Sequence, residues 1–261
     1  MIDPHYHHIF FENKHHRLFK KLFSRADLLT TVSDGLAGQL KAYNEHVLTL
    51  RNGVSNNLKK PEPVNTTHFT ITYSGSMFLD KRNAEPLFQA VRELFQELQF
   101  QQEDIRIVYA GKDGHHWRQL AKEFYFESVF EDKGILTPEE TRDLQRISCV
   151  NVLLTISSDQ LQGVLTGKMI EYFEAGIPVL GIVVNQNDEE LQTLLQSLSI
   201  GNSFSDQYKD IEGIKAFLLR EYNHWKTTKA NRVAVDFDKL VSDYSMKAVM
   251  QPFFEKIKSF A

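Results

Sequence analysis

The residues able to do chemistry stand just behind apolar runs. In "LTGKMIEYFEAGIPVLG", Leu165 to Gly181, Lys168 and Glu171 sit one helical turn apart, directly after Gly167. A carboxylate one turn into a helix can accept two hydroxyl hydrogen bonds from a ribose. A helix start beside a lysine favours an anion, because its free N–H groups carry partial positive charge. Glu174, on the same helix, reads as a solvated surface carboxylate. Two further stretches fit an anion. "YSGSMFLDKRN" puts Gly75 and Ser76 at the end of an apolar run with Lys81 and Arg82 behind them, and "YAGKDG" repeats the arrangement with Gly111 and Lys112. A diphosphate wants backbone N–H groups, a helix N-terminus and one or two cations, and these segments hold all three. Taken singly, either glycine reads as easing a tight strand-to-helix turn. The chain has no Walker A lysine-serine pair and no Gly-x-Gly-x-x-Gly, which argues against a P-loop or a dinucleotide fingerprint.

Metal chemistry finds little support. The histidines cluster at His5, His7 and His8, at His15 and His16, and at His115 and His116. Neighbouring histidines on a helix point apart, and no acidic or cysteine partner has ligand spacing. Asp236 and Asp238 imitate a metal-binding Asp-x-Asp, but they precede a helical pattern, where capping is the better explanation. Cys149 is the only cysteine, so the chain can form no internal disulfide, which fits a reducing compartment. A net charge of −4 gives no global basic field for nucleic acid. No apolar run approaches the roughly 18–20 residues that span a bilayer, and the first residues carry no signal-peptide pattern. These readings place the chain in the cytoplasm, at most peripheral at the inner face of the membrane. The basic amphipathic helix between Lys14 and Arg25 is expected to pack on protein, with contact to an anionic membrane surface the lesser reading.

The elements that must position the reactive residues alternate. "ADLLTTVS" reads as a buried strand, "SDGLAGQLKAY" as a helix capped by Ser33, and "HVLTL" as a second strand. Val54 to Thr67, with two prolines and no period, reads as a linker. Beyond it come "FTITYSG", a helix from Asn83 to Leu98, "IRIVYAG", the helix "HWRQLAKEFY" and a short strand in "SVFEDKG". "TPEETRDLQRI" opens with a capping box of Thr137 and Glu140 around Pro138. "CVNVLLTIS", the Lys168–Glu171 helix, "PVLGIVV" and mainly helical patterns complete the order. Strands that are continuous apolar runs imply a Rossmann-like α/β fold, a parallel sheet with helices on both faces. Ligands of such sheets bind beyond the strand C-termini.

The ordered set of motifs resembles the retaining GT-B glycosyltransferases. "ADLLTTVSDGLAGQL…VLTLRNGVS" is similar to the end of their N-terminal domain. "ITYSGSMFLDKRNAEPLFQAV" is similar to the first strand, donor loop and helix of their C-terminal domain, and "GILTPEETRDLQRISCVNVLLTIS" to the segment with the base-contacting loop. "GKMIEYFEAGIPVLG" resembles their nucleotide-sugar helix in its Lys-x-x-Glu-Tyr form. The resemblance implies that Glu171 holds the ribose hydroxyls of a nucleoside-diphosphate sugar. It implies that Thr166, Gly167 and Lys168 face the diphosphate, and that Ser76, with Lys81 or Arg82, covers it from the other side, Gly75 being among the nucleotide-sugar-binding residues. Gly134 and Ile135 would frame the base. Lys81, Arg82 and Glu171 are the implied catalytic residues, and no metal or other cofactor is implied. Two departures stand out: Gly163 takes the place of a frequent second glutamate, and Ser76 that of a frequent arginine.

The domains expected are residues 1–60, a remnant of the acceptor domain and linker start; 61–245, the nucleotide-sugar-binding domain; and 246–261, a C-terminal helix. The first segment reads as too short to build a second sheet. Its Leu18, Leu22, Phe23, Leu28 and Leu29 must therefore pack on the donor domain, on a copy of the chain, or on a partner carrying the missing N-terminal domain. The activity implied is transfer of a sugar to an acceptor hydroxyl in cell-surface polysaccharide synthesis, by a chain incomplete on its own. The alternatives are a non-catalytic nucleotide-sugar-binding subunit and a sugar-nucleotide epimerase of the same fold.

Overall fold

Residues with apolar side chains on both faces of a strand can be buried only between two layers of helix, and the sheet is assembled in that way. The structure, a computed structural model, describes residues 12–77, 82–157 and 167–259. Helix α1 (Glu12–Phe23), strand β1 (Leu29–Thr31), helix α2 (Asp34–Leu40) and strand β2 (Val47–Thr49) come first. Strand β3 (Phe69–Ser74), helix α3 (Glu85–Gln96), strand β4 (Ile105–Ala110), helix α4 (Gly114–Glu123), strand β5 (Phe130–Asp132) and helix α5 (Pro138–Ile147) follow. Next are β6 (Val150–Ile156), α6 (Gly167–Ala175), β7 (Val179–Val184), α7 (Glu189–Ser197) and β8 (Gly201–Ser205). Helices α8 (Ile211–Thr228), α9 (Phe237–Tyr244) and α10 (Met246–Lys258) close the order.

Strands β3 to β8 form one six-stranded sheet in the order β5-β4-β3-β6-β7-β8, every pair parallel. On one face, α3, α4 and α8 bury an aromatic-rich core in which Tyr73 stacks on Trp117 at 5.4 Å and Phe69 packs edge-on against Tyr222 at 5.6 Å. On the other, α6 and α7 bury Tyr172, Phe173, Leu191 and Leu195 against β6 and β7, and α5 lays Leu144 on Val108 and Ala110. The caps read from sequence are formed. Ser33 accepts the Leu36 N–H at 3.3 Å, Thr137 and Glu140 make the reciprocal capping box, and Asp236 accepts the Lys239 N–H. Helix α3 is shorter than its apolar pattern, because Leu98 turns to φ 58° and ends it.

Four expectations need correction. The first segment does make a second sheet: β1 and β2 pair in parallel, with α2 as their crossover. This small unit is tied to α7 by Arg51, which bridges Asp34 at 2.6 Å and Glu190 at 3.0 Å. The Glu190 carboxylate also accepts the N–H groups of Asp34 and Gly35. The Val54–Thr67 segment, irregular as expected, is docked rather than free. Val54 is fully buried, its N–H bonded to the Tyr244 carbonyl at 2.7 Å, and Asn231 fastens Val64. Glu174 is half-buried and accepts the Ser55 N–H at 3.4 Å, so it joins α6 to that segment. The rings of His115 and His116 do not point apart; their centroids are 3.9 Å from one another at the start of α4. Among the described residues no group of three or more His, Cys, Asp or Glu is placed to hold a metal ion, and no helix is long and apolar enough to cross a membrane. Phe23 of α1 meets Tyr43 at 5.9 Å, while Leu18 and Leu22 remain about half exposed (51% and 55%).

Candidate functional site

The strand order reverses between β3 and β6, so the connections leaving those two strands depart to opposite faces and open a crevice beyond their C-terminal ends. A cleft of about 390 Å³ lies there. Of the residues singled out in the sequence, Gly75, Ser76, Gly111, Lys112, Ile135, Lys168 and Glu171 line it, joined by Leu136 and Thr141. Gly134 precedes Ile135 with φ 62°, and Gly167 opens α6 as an exposed residue. Lys81 and Thr166 lie outside the described residues, as does Gly163.

The floor of the cleft is a staircase of strand ends. The Gly75 N–H donates to the Ala110 carbonyl at 2.7 Å, and the Gly111 N–H to the Gly134 carbonyl at 2.7 Å. The Tyr109 hydroxyl donates to the Gly75 carbonyl at 2.8 Å and accepts the Asp113 N–H at 2.9 Å. The Met77 N–H is taken by the Asp113 carboxylate at 2.8 Å. The glycine amides that the sequence offered to an anion are thus engaged with neighbouring strands. What the glycines supply is closeness: a Cβ on Gly111 would stand 2.4 Å from the Gly75 carbonyl oxygen and 2.5 Å from the Tyr109 hydroxyl. Gly111→Ala should therefore overpack the junction by about 1–3 kcal/mol. Thermal unfolding should read this as a fall of roughly 3–10 °C; an unchanged midpoint would mean that the two strand ends separate freely.

Cationic groups sit beneath and beside this floor. Lys168 is partly buried. Its ammonium donates to the Ser74 carbonyl and lies 4.4 Å from the centre of the Tyr73 ring. Burial, then the nearby charge of Arg82, pushes the Lys168 ammonium down to about 7, with Glu171 drawing it partly back up. The Arg82 guanidinium donates to the Tyr73 hydroxyl at 3.0 Å and to the Ser76 carbonyl, so it braces the loop after β3. Burial also raises the Tyr73 hydroxyl, with Arg82 opposing. Glu171 is exposed on the first turns of α6, and one of its oxygens accepts a hydrogen bond from Gln145 at 3.0 Å. Ile135 is 81% exposed at the mouth, an apolar side chain without cover.

The arrangement can hold a three-part ligand. A diol suits Glu171, a doubly anionic group suits the start of α6 beside Lys168, and a flat apolar group suits Ile135 and Leu136. Gln145 and Thr141 were missed in the sequence. For Gln145 a signal was present: it lies four residues after Thr141 and three before Ser148, on the face of α5 that the helical period turns inward, where an apolar residue is the norm.

Neither a family model nor a curated protein matches the sequence. The structure, by contrast, is similar to several solved glycosyltransferases. It matches the apo form of the lipopolysaccharide outer core galactosyltransferase WaaB with TM-score 0.63 and 15% identity, over 90% of this chain and 63% of that one. It matches Anabaena HepE in complex with UDP and glucose with TM-score 0.69 and 14% identity, over 95% and 68%. It matches sucrose-phosphate synthase from Thermosynechococcus elongatus with TM-score 0.65 and 12% identity, over 100% and 65%. The chain spans less than two thirds of the WaaB chain and about two thirds of the other two. At these identities the likeness shows the fold: a Rossmann-like α/β domain of the GT-B type.

Proposed function

We propose that this chain is the donor-binding portion of a retaining glycosyltransferase that takes a sugar from a nucleoside diphosphate, in the synthesis of a cell-surface polysaccharide. The observation that carries the reading is the convergence of Glu171, Lys168 and Ile135, from α6 and the loop after β5, on one cleft at the reversal of strand order. Glu171 takes the ribose hydroxyls, Ile135 and the Gly134 backbone frame the base, and Gly167 and Lys168 meet the diphosphate. Gly75 and Ser76 close over it, with Arg82 bracing them and Lys81 and Thr166 in the roles the resemblance gives them. In transfer, the bond between the anomeric carbon and the diphosphate oxygen breaks and its electron pair leaves with the diphosphate. The acceptor hydroxyl oxygen bonds to that carbon, and its proton passes to the departing diphosphate oxygen. Cations and the start of α6 stabilise the charge that develops on the leaving group, and the reading requires no metal.

The acceptor must be held beside the anomeric carbon, and positioning supplies much of such a rate. That wall belongs to an N-terminal domain or partner chain, and self-association through α1, where Leu18 and Leu22 are exposed, is part of the same reading. Residues 1–261 alone should bind a nucleoside diphosphate weakly, with a dissociation constant on the order of 0.1–1 mM (about −4 to −5.5 kcal/mol), and should not transfer sugar. Calorimetric titration with the uridine, guanosine, adenosine and thymidine diphosphates tests the first part. No binding by any of them at several millimolar would sink the reading. A labelled donor panel with lipid-linked acceptors tests the second, and robust turnover by the isolated chain would overturn the need for a further domain while keeping the transferase.

A further inference from the structure

Gln145 is fully buried in the last turn of α5, beneath the cleft rather than in it. Its amide nitrogen has two protons and both are placed: one on the Ser74 hydroxyl at 3.0 Å, the other on a Glu171 carboxylate oxygen at 3.0 Å. A carboxylate only accepts, so the nitrogen must face Glu171, and the orientation of the amide follows. The amide oxygen is then left buried with no partner among the described residues. Its backbone carbonyl accepts from the buried Asn151 side chain at 3.0 Å, which holds this turn of α5 in place. An unpaired buried oxygen is a cost that an apolar side chain of equal volume would not carry. The compensation is the hydrogen bond delivered to Glu171.

We propose that Gln145 is a positioning residue that holds the Glu171 carboxylate in the orientation that receives a ribose diol, and so sets the preference for ribonucleotides over 2′-deoxynucleotides. This rests on the reading of Glu171 as the ribose acceptor. Glu171 is a long side chain on an exposed helix turn, and without a tether it loses rotamer freedom each time a ligand binds. Gln145 orders it beforehand. The engaged oxygen retains a second acceptor site and the other oxygen has no partner among the described residues, so both remain open to a diol. A ligand without its 2′-hydroxyl leaves part of this prearranged carboxylate unpaired.

The test measures the affinities of the four ribonucleoside diphosphates and of their 2′-deoxy counterparts, by calorimetry, for the full chain. The wild type should prefer the ribo form by about 10-fold or more, and Glu171→Ala should abolish the preference. Gln145→Met should cut the preference about 3–10-fold, weakening the ribo ligands more than their 2′-deoxy counterparts. Gln145→Glu keeps the volume and covers the case in which the methionine variant fails to fold. Its carboxyl group can donate to Glu171 only when protonated, so the preference should return as pH falls from about 8 to about 5. A wild type without ribo preference would remove the ribose reading of Glu171, and this proposal with it. A preference lost in Glu171→Ala but kept in Gln145→Met would overturn the positioning role alone. Equal losses for ribo and 2′-deoxy ligands in Gln145→Met would reduce Gln145 to a packing residue and overturn it too.

Discussion

Glu171→Ala should weaken a nucleoside and its diphosphate by the same factor, about 10–150-fold. The factor is the net worth of a charge-assisted hydrogen bond, roughly 1.5–3 kcal/mol, written as a ratio of dissociation constants. It is a single such term rather than two because Glu171 is exposed in the unliganded cleft, where water partly replaces each ribose hydroxyl. The equality of the two losses is the informative part. A residue that touches the ribose affects every ligand with a ribose, whereas a residue that touches phosphate spares the nucleoside. Titration of both ligands against both forms of the chain gives the answer. A loss confined to the diphosphate would move Glu171 out of the ribose site and make its effect on Lys168 the cause.

The affinity of a nucleoside-diphosphate sugar should fall about 100-fold between about pH 7 and about pH 9, and the fall should depend on Lys168. A sugar nucleotide is the right probe because its diphosphate is esterified at both ends and does not titrate in that window. In the free chain burial, and then the charge of Arg82, holds the Lys168 ammonium down to about 7. A diphosphate raises it, since opposite charge favours the protonated form. Below about pH 7 the lysine is charged before and after binding, and affinity is flat. Above it the free lysine is neutral while the bound one is charged, so binding takes up a proton. Each pH unit then costs a factor of 10 until the bound value is reached. Calorimetry in buffers of different ionisation enthalpy should show that uptake directly. Lys168→Arg should bind with no such slope, and Lys168→Met should match the high-pH wild type at every pH. A wild-type affinity that is level from about pH 6 to about pH 9 would show that Lys168 does not meet the diphosphate.

The alternation of apolar runs with amphipathic stretches was enough to imply a parallel sheet covered on both faces. A strand buried on both faces is mainly apolar along its whole length, and a helix buried on one face repeats every three to four residues. Local signals were legible for the same reason: Ser33, Thr137 with Glu140, and Asp236 cap the helices they precede, and each needs only the chain within four residues. Lys168 and Glu171 also stood out by their spacing on a helix after a core strand, and the fold brings both to one cleft.

Only the tertiary structure decided which donors and acceptors are already spent. The Gly75 and Gly111 amides go to Ala110 and Gly134, strands apart in sequence, and Gln145 reaches Glu171 across 26 positions. Lys168 has its ammonium depressed by burial and by Arg82, far from it along the chain, and Arg51 finds Glu190 only because the small N-terminal sheet settles against α7. Hydrogen bonds and desolvation are set by distances of a few ångströms. A sequence fixes such distances within one helix turn, and beyond it they belong to the order in which the strands lie side by side.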